Sequence, residues 1–156
     1  MTGFKYIQVK KMKLGTIIDH IPTKINLKLF NLCNLIKKNY KVTIKFNLPS
    51  KKIYIKNIIK IENKFLNRKK INQLSIYLPS ITINYIKNYK IIKKKSLKIP
   101  KKIKKILICP NKNCISHDKN IVSYFILKKY IKKKKIKCFY CEIEFSKKII
   151  FKNLFY

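Results

Sequence analysis

Four of the five cysteines fall into two close pairs. Cys109 and Cys114 are separated by four residues, Cys138 and Cys141 by two, and 23 residues lie between the pairs. No other feature of the chain limits its folding as tightly. Four thiolates in two short-spaced pairs are the ligand set of tetrahedral zinc, and a closed shell of four leaves no open position for catalysis. Short spacing lets one tight turn aim both sulfurs of a pair at a point, and Pro110, Asn111 and Asn113 suit such a turn. A small domain has a thin core, so a metal ion would supply much of its folding energy. Redox chemistry at Cys138 and Cys141 is the alternative; the second pair and the lack of a thioredoxin-like context argue against it. His117 offers a substitute ligand, but four cysteines already complete the shell. Cys33 stands apart on an apolar helical face and reads as a small buried hydrophobe.

The 156 residues give room for one ordinary domain or two small ones. No apolar run approaches the roughly 20 residues needed to span a bilayer, and the N-terminus lacks the apolar stretch of a secretory signal. A soluble, cytoplasmic protein with no membrane contact is expected. Thiols stay reduced there, which again favours metal over disulfides.

The net charge of +35 raises nucleic acid as a partner, since a dense positive field attracts phosphate backbones. Among the 40 basic residues, however, only Arg68 is arginine, the residue suited to bidentate phosphate and base recognition. Alanine and tryptophan are absent, and Lys, Ile, Asn and Tyr abound. That bias matches A/T-rich codons, with lysine filling solvated positions. The minority residues then carry the information: acids occur only at Asp19, Glu62, Asp118, Glu142 and Glu144, and histidines only at His20 and His117.

Hydrophobic periodicity divides the chain. Residues 6–12 alternate as a strand, with Gly15 read as the turn after it. Ile25, Leu29, Leu32, Cys33 and Ile36 line one helical face. Val42, Ile44, Phe46 and Leu48 alternate strictly, as a half-buried strand does. Residues 55–62 form a further strand, and Ile71, Leu74, Tyr77 and Leu78 a second helix stopped by Pro79. Ile81, Ile83 and Tyr85, then Tyr89 and Ile91, give two more strand segments. The order β-α-β-β-α-β, with an extra strand segment at the end, is that of the split βαβ, ferredoxin-like arrangement. Lysine-rich residues 98–105, with Pro100, read as a linker. Short β-prone runs follow at 106–108, 121–127, 136–139 and 149–151. The expected class is therefore α+β: a ferredoxin-like βαββαβ domain over 1–97, a hinge over 98–105, and a small antiparallel β zinc-binding domain over 106–156.

Four blocks carry a family likeness: Gly15 to Pro22 (GTIIDHIP), Ile59 to Leu66 (IKIENKFL), Ile108 to His117 (ICPNKNCISH) and Cys138 to Glu142 (CFYCE). In this order and spacing the chain resembles the regulatory chain of aspartate carbamoyltransferase, from about residue 8 to residue 150. The resemblance implies a non-catalytic regulatory subunit: a nucleotide-effector domain with a ferredoxin-like core, then a zinc domain contacting the catalytic chain. It implies CTP inhibition and ATP activation of the first committed step of pyrimidine biosynthesis, with UTP acting beside CTP. It also implies a regulatory homodimer, within a dodecamer of two catalytic trimers and three regulatory dimers. One structural Zn2+ per chain would bind Cys109, Cys114, Cys138 and Cys141.

Carried over by position, Asp19 and Lys60 match ribose contacts, and His20 and Lys94 lie near the triphosphate. Asn84, Ile86, Tyr89 and Ile91 surround base and sugar, while Asn111, Asn113 and Glu142 fall at the catalytic-chain interface. Unaided chemistry agrees in kind, because lysines balance phosphate charge and a carboxylate accepts from ribose hydroxyls. Taken singly, Lys60 and Lys94 are two among 39 lysines, and Ile86 and Ile91 would read as core. Lys10, Lys11 and Ile143 depart from the family pattern. No nucleophile–base pair or paired catalytic carboxylates occur, so no catalytic residues are expected. Two other readings remain: a basic zinc-ribbon protein binding RNA, and a structural subunit with weakened effector response.

Overall fold

The structure is a computed structural model describing residues 11–24, 40–52, 54–131 and 133–146. These fall into two compact units. One takes residues up to Asn67 together with Ile81–Ser96; the other takes Arg68–Ser80 and the residues from Leu97 onward. The helix expected around Ile25 to Ile36 and the β-prone run at 149–151 lie outside the described residues.

The first unit holds a five-stranded antiparallel sheet. Its strands are β1 (Leu14–Ile21), β2 (Val42–Ser50), β3 (Tyr54–Glu62), β4 (Thr82–Lys87) and β5 (Lys90–Ser96), in the order β2-β3-β1-β4-β5. Helix α1 (Arg68–Tyr77) connects β3 to β4. Omitting β5, the order 2-3-1-4 with every neighbour antiparallel is the split βαβ topology expected from the pattern. Alternation along the strands puts Ile18, Ile59, Ile61 and Ile83 on one face, each at most 1% exposed. Asn88 and Tyr89 join β4 to β5, both with positive φ (51° and 63°). That conformation at both central residues is the two-residue turn whose twist matches its flanking strands.

Gly15 is not a turn. It lies inside β1, between Glu62 of β3 and Ile86 of β4. At φ +143° a Cβ there would stand 2.2 Å from the Ile61 carbonyl oxygen. The glycine serves close backbone approach, which a lone glycine in an alternating run signals as well as a turn does. The motif's first strand is accordingly Leu14–Ile21. The strand read at 6–12 falls mostly outside the described residues, and its described end, Lys11 and Met12, is not in a strand.

The second unit contains α1 and a four-stranded antiparallel sheet. Its strands are β6 (Lys102–Lys104), β7 (Tyr124–Lys129), β8 (Lys134–Cys138) and β9 (Glu144–Ser146), paired in sequence order. In α1, Leu74 and Ile76 are fully buried. Two cross-strand rows make the sheet's inner face. Ile103, Phe125 and Cys138 form one, and Leu127, Ile136 and Phe145 the other. All six are buried, and the Phe125 and Phe145 rings meet edge to face at 5.9 Å. The stretch read as a linker thus contains β6, whose Ile103 is 1% exposed. Flanking lysines hide it, because a three-residue alternation is too short to register as a strand. The run at 106–108 forms no strand, although Ile106 and Leu107 are buried.

Candidate metal centre and effector face

The cysteine pairs meet through two turns. The first spans Pro110 to Asn113, where the Asn111 side chain accepts from the Asn113 N–H (3.1 Å) and its carbonyl accepts from the Cys114 N–H (3.1 Å). A short 3-10 turn, Ile115–His117, follows. The second turn leaves β8 at Cys138, whose N–H donates to the Ile143 carbonyl at 3.0 Å, and turns back through Glu142 at φ +60°. Tyr140 pins it by donating its hydroxyl to the Val122 carbonyl (2.8 Å).

The four Sγ atoms lie within 4.8 Å of one another. Cys109 and Cys141 sulfurs are 3.5 Å apart, and those of Cys114 and Cys138 are 3.7 Å apart. Both separations exceed a disulfide bond of about 2.05 Å. A metal–sulfur bond of about 2.3 Å in a tetrahedron places sulfurs roughly 3.8 Å apart, so the set fits a tetrahedral ion. Burial pushes the Cys109 and Cys138 thiols up from their ordinary range. Burial also acts to raise Cys114, but hydrogen bonds from the Ser116 hydroxyl and backbone and from the neighbouring thiols bring it down to about 6. The Ser116 hydroxyl donates to Cys114 Sγ at 3.2 Å, the kind of outer contact that orients a ligand.

His117 is no ligand. Its Nε2 lies 3.0 Å from the Cys109 carbonyl and 2.9 Å from the Asn111 carbonyl. Two carbonyls can only accept, so Nε2 carries the proton and clamps the first turn. Ser116 and His117 were not among the sequence-expected site residues. Glu142 is exposed and pairs with Lys137 at 2.9 Å, which holds its carboxyl below the usual range. Asn111 and Asn113 lie on the first turn, beside the thiols.

In the first unit, the expected effector residues converge on one side of the sheet. Lys60 of β3, Ile17 of β1, Asn84 of β4 and Lys94 of β5 stand directly opposite one another. Directly paired residues of an antiparallel sheet share a face, so this row lies opposite the isoleucine core. Ile86 and Ile91 are paired two residues along from Asn84. Asp19 lies two residues along β1 from Ile17, again on that face. Tyr89 sits on the β4–β5 turn, 60% exposed, and Ile91 is 59% exposed, unlike the core residue its apolar character suggested.

Lys60 is buried and its ammonium is held below the ordinary lysine range, first by burial and then by Lys45, with Glu62 opposing. The Asn84 Oδ1 is buried without a hydrogen-bond partner. Asp19 Oδ1 pairs with Lys56 at 2.8 Å and accepts from the His20 N–H at 2.6 Å. His20 Nδ1 lies 3.5 Å from Asp19 Oδ2 without hydrogen-bond geometry, so that contact counts only when the ring is protonated. Burial lowers the His20 pKa, Asp19 raises it, and Lys56, Lys52 and Lys94 lower it. Lys56 was missed from sequence, where nothing separates it from 38 other lysines.

Residues 7–98 match the aspartate carbamoyltransferase regulatory chain, allosteric domain, and residues 101–151 match the metal binding domain of the same chain. The chain belongs to the aspartate carbamoyltransferase regulatory-chain family. It is 41% identical to the regulatory chain of Photorhabdus laumondii, covering 98% of this chain and 99% of the relative. It is 42% identical to that of Salmonella paratyphi B, covering 98% and 100%. In family terms, the sheet with the Lys60–Asn84–Lys94 row falls in the allosteric domain, and the four thiols fall in the metal-binding domain. No helix among the described residues is long and apolar enough to cross a membrane.

Proposed function

We propose that this chain is the non-catalytic regulatory subunit of a cytoplasmic aspartate carbamoyltransferase, binding CTP and ATP, with UTP beside CTP, to set the rate of the first committed step of pyrimidine biosynthesis. The observation carrying this reading is the single-faced row of Lys60, Asn84 and Lys94 with Asp19 and His20 at its end. His20 and Lys94 suit a triphosphate, while Lys60 can donate to ribose hydroxyls and Asp19 can accept from them. The unpaired Asn84 Oδ1 is an acceptor for a donor on the base or sugar, and Ile86, Ile91 and Tyr89 supply apolar surface beside it. Residues 1–97 form the nucleotide domain and 106–156 the metal domain, with β6 in the segment between.

Cys109, Cys114, Cys138 and Cys141 would hold one Zn2+. The ion's contribution is structural: it ties the two turns together and leaves no open coordination position. Asn111, Asn113 and Glu142 then present polar groups to a catalytic chain, bordered by the exposed Ile115, Phe139 and Ile143. Regulatory homodimers would link two catalytic trimers in a dodecamer. A nucleotide biases the catalytic chains by binding one quaternary state more tightly than the other.

The test mixes the zinc-loaded chain with a catalytic trimer and records aspartate saturation with and without CTP and ATP. A shift in half-saturation supports regulation. Assembly without a shift assigns a structural subunit, consistent with the departures at Lys11 and Ile143. Failure to assemble, with steeply salt-dependent RNA binding instead, would favour the basic zinc-ribbon reading.

A further inference from the structure

Strand β3 is bulged against on both flanks, at consecutive residues. On one side Ile18 pairs with Ile59 and Ile21 with Asn57, so Asp19 and His20 together oppose Ile58. On the other side Lys45 pairs with Ile58 and Leu48 with Lys56, so Phe46 and Asn47 together oppose Asn57. The second residue of each bulge has positive φ, 61° at His20 and 52° at Asn47. A bulge leaves a residue out of the ladder and increases local twist. The Asn47 N–H is satisfied by the Asn57 side chain, whose Oδ1 accepts it at 3.0 Å, and Asn57 is 3% exposed.

Alternation puts Asn57 on the face of Ile59 and Ile61, while Lys56 and Lys60 emerge on the opposite, effector face. Holding Asn57 from the core side therefore fixes β3 where Lys56 leaves it. Lys56 Nζ reaches Asp19 Oδ1 at 2.8 Å, inside the other bulge. The two bulges are thus joined through two consecutive residues of one strand, one tied to β2 and the other to β1.

We infer that Asn57 is a positioning residue for the effector site: its carboxamide locks the Phe46–Asn47 bulge and thereby sets Lys56 against Asp19 and orients the Asp19–His20 corner. This rests on reading that corner as the part of a nucleotide site where ribose meets triphosphate. A purely structural Asn57 would stabilise the sheet without setting that corner.

The experiment uses the full zinc-loaded chain and two readouts: the His20 titration midpoint by NMR without nucleotide, and CTP affinity by calorimetry. The charged groups acting on His20 are Asp19, Lys56, Lys52 and Lys94. Asn57→Ala is expected to raise the His20 midpoint, because Lys56 withdraws and Asp19 is freed to pair with the imidazolium. It is also expected to weaken CTP about fivefold or more. Asn57→Thr, a good strand former too short to reach Asn47, gives the same signature should Asn57→Ala fail to fold. Ile83→Val, a cavity in the core of the same sheet, should lower the unfolding midpoint and move neither readout. Wild-type values for both readouts in the Asn57 variants, or equal shifts in Ile83→Val, would overturn the inference. If the wild-type chain binds no CTP, the nucleotide reading fails while the His20 midpoint still decides the positioning claim.

Discussion

In the five-stranded sheet Ile18, Ile59, Ile61 and Ile83 pack on the core face, and the row proposed for effector binding, Lys60, Asn84 and Lys94, lies on the other. In the four-stranded sheet the two roles overlap. Cys138 ends the same buried cross-strand row as Ile103 and Phe125, and is also a metal-ligand candidate. The first unit's proposed ligand face is separate from its core, so that unit is expected to keep its fold without nucleotide. The other has its ligand set built into its core, so fold and site stand or fall together.

The sharpest way to break that contrast is to take the metal away. Chelation, or Cys138→Ser, is expected to abolish the second sheet, since structural zinc supplies on the order of 10 kcal/mol in small domains. The amide signals of β1, β3 and β4 should persist. Loss of both sheets at equal chelator concentration would erase the distinction.

Next in size is Gly15→Ala. The added Cβ meets the Ile61 carbonyl at 2.2 Å in a backbone conformation that L residues rarely adopt. A loss on the order of 3 kcal/mol is expected for a strained, overpacked position, read as a fall in the first sheet's denaturation midpoint with metal binding intact.

Much of this contrast was legible from residues alone. The cysteine pairs were plain because thiols are rare and their spacing repeats a geometric need. Strands β2, β3 and β4 showed because apolar residues recur at alternate positions there, as Val42, Ile44, Phe46 and Leu48 do in β2. The misreadings share a cause. Gly15 carried two meanings that only the neighbouring carbonyl separates. Strand β6 buries one residue between lysines, and Lys56 is one lysine among 39. His117 clamps carbonyls, a role that leaves no spacing signature.

A smaller effect separates site from fold within the first unit. Lys60→Ala should weaken CTP by about 10- to 100-fold, the range for one charge-assisted hydrogen bond, while the second sheet's metal affinity stays unchanged by calorimetry.

The smallest concerns His20. Burial lowers its folded pKa below 6.5, so the folded chain binds fewer protons than the unfolded chain near that pH. Its contribution to stability is therefore complete above pH 6.5 and declines as pH falls through 6.5 toward the folded midpoint. NMR titration should place the midpoint below 6.5, and saturating triphosphate should raise it. A midpoint unmoved by triphosphate would detach His20 from the phosphate end.

The most direct test of the account is the aspartate saturation curve of the assembled complex, with wild-type chain and with Lys60→Ala, each with and without CTP. Regulation through the Lys60 face predicts that both assemble, that CTP moves the wild-type half-saturation, and that the same CTP concentration leaves the Lys60→Ala curve in place. An equal CTP shift in both complexes would contradict it.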